Sequence, residues 1–182
     1  PERVENLEKL VRARTAELLD SKRRTDQIIE ATNVGTWEWN IPSGEIKINN
    51  RWAEIVGLNK ADLMPTTIEL WESLCHPVDL KESYEKMERV FSGKERFYSC
   101  EARLRHKDGH WVWIHDSGSV IEWTADRKPV IMTGTHIDIT ERKRSEEELR
   151  AKTALLEAQT DATPDGILVV GENQRRVLTN RR

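Results

Sequence analysis

Glu101-Ala102-Arg103-Leu104-Arg105-His106-Lys107-Asp108-Gly109-His110-Trp111-Val112 reads as strand, turn, strand. The first strand extends back to Arg96. Lys107-Asp108-Gly109 is a hairpin turn, with glycine where a positive φ is needed. His110 to Trp123 returns, with a break expected near Gly118. Thr124 to Lys128 turns the chain again, and Pro129 to Ile139 forms a third strand. Upstream, Thr36 to Ile41 alternates, Pro42-Ser43-Gly44 turns, and Glu45 to Asn49 alternates again, which is a β-hairpin. Two early strands and three late ones make one five-stranded antiparallel sheet.

Helical patterns fill the gap between them. Trp52, Ile55 and Val56 are followed by a stop at Gly57. Lys60 to Met64 is a short turn of helix before Pro65. Thr66 or Thr67 caps the next segment, which holds Ile68, Leu70, Trp71 and Leu74. Pro77 opens a longer helix, as suits a first-turn proline. Its apolar residues are Leu80, Tyr84, Met87, Val90 and Phe91, and Ser92-Gly93 ends it. The fold class is α+β, with these helices covering one face of the sheet.

Charged helices flank this unit. In residues 4 to 29, Val4, Leu7, Val11, Leu18, Thr25 and Ile28 fall on an a/d seam, with Arg14 and Ser21 at two further seam positions. A narrow apolar stripe suits a two-stranded coiled coil better than burial in a core. Thr140 is placed as N-cap of the exit helix, where Leu149 and Leu156 lie one heptad apart.

The chain also repeats itself. Glu30-Ala31-Thr32-Asn33-Val34-Gly35 and Asp161-Ala162-Thr163-Pro164-Asp165-Gly166 match at an offset of 131, which also aligns Asn49 with Asn180. The expected organisation is an N-terminal signalling helix (1–30), a complete module (31–140), an exit helix (141–160) and the start of a second module (161–182). Strands are expected at Ile167 to Val170 and Arg176 to Thr179; two strands alone are marginal.

Composition narrows the function. All 7 Trp lie in the middle of the 182 residues, and the net charge is −3. No basic stripe with interleaved aromatics is present, so nucleic acid is not an expected partner. No apolar run approaches the roughly 20 residues of a membrane span. With no leader pattern and two cysteines in no metal or redox spacing, the expected location is cytoplasmic, compatible with a membrane anchor upstream. Phosphate loops, nucleophile elbows and zinc-protease helices are missing, so no catalytic residue is assigned. His106 and His110 would suit a metal on a helix, but here they flank a hairpin tip, and no metal site is assigned. His115 and His136 read as ordinary strand residues, and His76 as a link between two helices.

Taken in order, Gly35-Thr36-Trp37-Glu38-Trp39, Asn50-Arg51-Trp52-Ala53-Glu54-Ile55-Val56-Gly57, Cys75-His76-Pro77-Val78-Asp79, the hairpin quoted first and Gly134-Thr135-His136-Ile137-Asp138-Ile139-Thr140-Glu141-Arg142-Lys143 resemble a PAS domain with its PAC motif. The likeness covers about Ile28 to Lys143. It implies a sensory or signal-relay module of a bacterial multidomain protein, most like a sensor histidine kinase of a two-component phosphorelay; a diguanylate cyclase is the alternative output. The output domains would lie outside this chain. It also implies a homodimer through the flanking helices, with adjacent PAS and output domains as further partners. The family's hinge maps onto Asp138, Thr140 and Arg142. The cofactor stays unknown. Haem is disfavoured because 78–91 contains no His, and flavin because Cys75 stands in Leu74-Cys75-His76-Pro77, not in an Asn-Cys-Arg-type motif. Trp37 with Trp39, and Trp111 with Trp113, share strand faces. Each pair could stack a planar small molecule, fill the core, or cover a dimer face. Transmission without ligand, as a dimerising spacer, is the rival reading.

Overall fold

The computed structural model describes residues 2–162, 168–170 and 176–179, with side chains for 6–160 and 162. The chain divides into two units, 1–138 and 139–182.

Both expected hairpins form in the first unit. β1 (Gly35–Asn40) pairs with β2 (Ile46–Ile48), and β3 (Tyr98–Arg105) pairs with β4 (Trp111–Trp123). β5 (Pro129–Asp138) then enters between the hairpins, giving the antiparallel order β2-β1-β5-β4-β3. The last strand is therefore central and paired on both sides.

Side chains alternate across this sheet as strand geometry requires. Trp37, Trp39, Tyr98, Leu104, Ile114 and Met132 are buried on one face. That face is covered by α2 (Asn50–Ile55), a 3₁₀ turn (Lys60–Leu63), α3 (Ile68–Leu74) and α4 (Pro77–Phe91), whose Trp52, Leu63, Trp71, Met87 and Val90 complete one core.

Local chemistry sets the helix starts. Asn49 Oδ1 accepts from the backbone N–H of Trp52 at the start of α2 and from that of Thr36 in β1, both at 2.9 Å. Its Nδ2 donates to the Val34 carbonyl. One side chain thus fastens α2 to the start of the sheet. His76 is the N-cap of α4, its Nδ1 accepting from the Val78 N–H, with Pro77 next as the first helical residue. Thr67 holds the N-cap position of α3 without a side-chain capping bond, while Thr66 donates to the Leu63 carbonyl. The capping expected there is not made.

Some details differ from the sequence reading. β3 begins at Tyr98, two residues after Arg96. β4 runs unbroken through Gly118, and its irregularities fall between Val120 and Trp123. Gly118 is compatible with the ladder because its missing side chain makes room for a ring above it, as described below.

The N-terminus of α4 is locked to the edge strand β3. Arg103 donates from Nε and Nη2 to the two oxygens of the buried Asp79 carboxylate at 2.8 and 2.7 Å, and its backbone N–H adds a bond at 2.9 Å. Burial works to raise the Asp79 carboxyl, but the Arg103 bonds and charge outweigh it and hold the group below the usual carboxylate range.

Helix α1 (Glu2–Thr32) precedes β1. Leu7, Val11, Leu18 and Ile28 of the expected seam are all more than half exposed, and so are Leu10 and Leu19. The side chain of Val4 lies outside those described. The second unit contains α5 (Thr140–Ala162) and an antiparallel pair, β6 (Leu168–Val170) with β7 (Arg176–Thr179). Leu149, Leu155 and Leu156 are exposed on α5. Thr140 is the first residue of that helix.

Replacing Arg103 with Met should cost about 2–4 kcal/mol at neutral pH, because Asp79 loses its bidentate partner. A carboxyl held low when folded contributes stability above its unfolded value, and that stability is lost as pH falls through the folded value. Urea denaturation should therefore show the wild-type advantage narrowing on acidification through the carboxylate range. An advantage independent of pH would contradict this.

Candidate functional site

Trp37 enters the core from β1 and lies over two glycines. Gly118 and Gly134 are register partners on β4 and β5. A Cβ at Gly134 would stand 2.4 Å from the Trp37 ring, and one at Gly118 would stand 2.7 Å from it. Only glycine leaves room for the indole there. The ring then reaches across β5, and Nε1–H donates to Asp116 Oδ1 on β4 at 3.0 Å.

Asp116 would be a costly residue to bury alone. It is 2% exposed, and so is His136, its register partner on β5. His136 Nε2 lies 3.1 Å from the same carboxylate oxygen. This geometry makes Nε2 the nitrogen that carries the proton toward Asp116. The His136 ring stacks on Trp52 of α2 at 5.6 Å between centroids. One connected group thus joins β1, β4, β5 and α2.

A cavity of about 20 Å³ lies beside this group, lined by Trp37, Trp39, Trp52, Trp71, Asp116 and His136 among others. That volume holds about one water-sized sphere, whereas a small-molecule pocket takes roughly 300 Å³ or more. Among the described residues, Trp39 Nε1 and His136 Nδ1 are buried without a hydrogen-bond partner. Nearby, burial, together with the charges of Asp79 and Asp116, pushes the Cys75 thiol up to about 12. Burial and Asp116 also raise the Tyr98 phenol. Neither group ionises at neutral pH.

The two tryptophan pairs part company. Trp37 and Trp39 are core residues. Trp111 and Trp113 are half-buried on the opposite face of the sheet, where the Arg105 and Arg103 guanidinium carbons lie 5.1 and 5.0 Å from their ring centroids. His76 meets Trp111 edge-on at 4.9 Å. The residues expected to form a hinge are placed as follows: Asp138 ends β5, Thr140 opens α5, and Arg142 Nη1 donates to Glu146 at 2.7 Å.

The family model described as PAS fold matches residues 45–136. The chain belongs to the PAS family. A sensory box histidine kinase/response regulator from Burkholderia thailandensis E264 is 25% identical, with a TM-score of 0.65 over 74% of this chain and 98% of that one. The N-terminal domain of a diguanylate cyclase with PAS/PAC sensor from Marinobacter aquaeolei shares the fold at 20% identity, with a TM-score of 0.52 over 60% of this chain and 98% of that one. The protein named probable diguanylate cyclase DgcE of Escherichia coli is 28% identical over 102 residues, which is 56% of this chain and 9% of that protein. The chain thus carries a PAS sensory module with a role in signal transduction. Among the described residues, no helix is long and apolar enough to cross a membrane.

Sequence reading passed over Asp116 and treated His136 as ordinary. A signal was present. Asp116 shares the inward register of Val112 and Ile114, and a lone acid in an apolar alternation calls for a buried partner.

Asp116→Asn and His136→Ala should each cost about 3 kcal/mol, because each leaves a buried polar group short of a partner. The double variant should cost less than the two together by about 1–3 kcal/mol. Strict additivity in a urea double-mutant cycle would show that the two side chains act independently.

Proposed function

We propose that this PAS module relays signals between its flanking helices. The observation that carries the reading is connectivity: β5, the central strand, ends at Asp138 and α5 begins at Thr140, with Ile139 alone between them. A shift in the sheet then has no slack linker in which to dissipate, and Asp138, Thr140 and Arg142 act as the hinge. At the other end, α1 stops at Thr32 and β1 starts at Gly35.

The flanking helices act in a homodimer. A 31-residue helix with leucines more than half exposed gains little from its own chain, and a second copy on the a/d seam would bury them. The parent protein is a sensor histidine kinase, in line with the Burkholderia relative; a diguanylate cyclase output is the alternative, favoured by DgcE. In that parent, 161–182 opens a second PAS module. Adding 131 to the bounds of β1 and β2 gives 166–171 and 177–179, which overlap β6 and β7. Asn180 recurs at the offset of Asn49, the side chain that fastens α2 to the sheet.

The narrow cavity favours relay through the module's own packed side chains. The second reading, small-molecule sensing, is favoured by the unpartnered Trp39 Nε1 and His136 Nδ1 beside that cavity.

In the full-length parent, Asp138→Ala with Thr140→Ala should abolish regulation of output while leaving basal output in place; unchanged regulation would defeat the hinge. Sedimentation should find the present chain dimeric, and Val11→Glu with Leu18→Glu should weaken the dimer about tenfold or more. A monomeric wild-type chain would contradict the seam. An organic compound recovered from purified protein would favour sensing over relay alone.

A further inference from the structure

We propose that His106, Asp108 and His110 form a binding site for a divalent first-row transition-metal ion at the β3–β4 hairpin tip. On a helix, a four-residue spacing brings two histidines together. A hairpin does so by register. The His106 N–H donates to the His110 carbonyl, and the two rings stack with centroids 4.3 Å apart. Asp108 in the turn adds a carboxylate, and one donor atom from each of the three residues lies within 4.8 Å of the others.

Bonds of about 2.0–2.2 Å to a shared ion place neighbouring donor atoms roughly 3.0–3.5 Å apart. His106 Nδ1 and Asp108 Oδ2 already stand at 3.2 Å. His110 completes the set within 4.8 Å, and as an exposed side chain it can rotate to meet the ion. His106 Nδ1 now accepts the Asp108 N–H at a long 3.2 Å; solvent can take over that donor at an exposed turn.

The tip is held in place. Lys107 N–H donates to the Val56 carbonyl at 2.9 Å. The Nε2 edge of His106 rests on Gly57, where an added Cβ would come within 2.2 Å of it. That edge is covered, which leaves Nδ1, on the Asp108 side, to bind the ion. Two imidazoles and one carboxylate suit Zn²⁺, Ni²⁺ or Cu²⁺ better than Mg²⁺ or Ca²⁺. Solvent fills the remaining positions, so the ion exchanges readily. Its effect would be to tie the two hairpin strands together beside the end of α2.

The test is calorimetric titration of the tag-free chain with Zn²⁺ in a non-chelating buffer near neutral pH. One ion per chain is expected, with affinity falling at least about tenfold in His110→Ala and in Asp108→Asn. Both positions are exposed, and circular dichroism should show both variants folded. Absence of binding to wild type overturns the site. So does wild-type affinity retained in both variants, which would assign the ion to other residues.

Discussion

The structure depends on how a carboxylate is tolerated in an apolar core. Asp116 faces inward from β4, and its Oδ1 receives Trp37 from β1 and His136 from β5. Each partner is itself held, Trp37 over Gly118 and Gly134 and His136 against Trp52. Removing any member leaves either a buried polar group short of a partner or a gap the size of a ring, and both are costly. The strands so joined are β1, which follows the entry helix in sequence, β4, and β5, which precedes the exit helix in sequence. The polar group therefore spans the part of the sheet that connects to both flanking helices.

Much of the architecture was legible from local pattern. The strand alternations, the turn at Lys107-Asp108-Gly109, the proline opening α4 and the glycine stops are all short-range signals. What escaped was long-range. Gly118 looked like a strand breaker because its purpose lies on Trp37, distant in sequence and adjacent in space. His136 looked ordinary because its partner is known only once β4 and β5 are in register. His106 and His110 were weighed by their spacing, whereas cross-strand pairing is what brings them together. The expected capping of α3 failed for a related reason: Thr66 is buried and spends its hydroxyl on Leu63.

The same features shape the functional reading. A core filled by Trp37, Trp39, Trp52 and Trp71 leaves little room for a guest, so a signal passing through it would move side chains that already touch. The outer face presents a different chemistry, with Trp111 and Trp113 half-buried under arginines. The PAS match covers about half of this chain, and the chain spans 9% of the curated relative it resembles.

The most direct measurement is hydrogen–deuterium exchange on the wild type and on His136→Ala, comparing residues 129–138 with residues 140–150. If the buried group steadies β5 and β5 steadies the exit helix, exchange should quicken in both segments. Faster exchange confined to the strand, with the first turns of α5 unchanged, would mean that the sheet and the helix are mechanically separate.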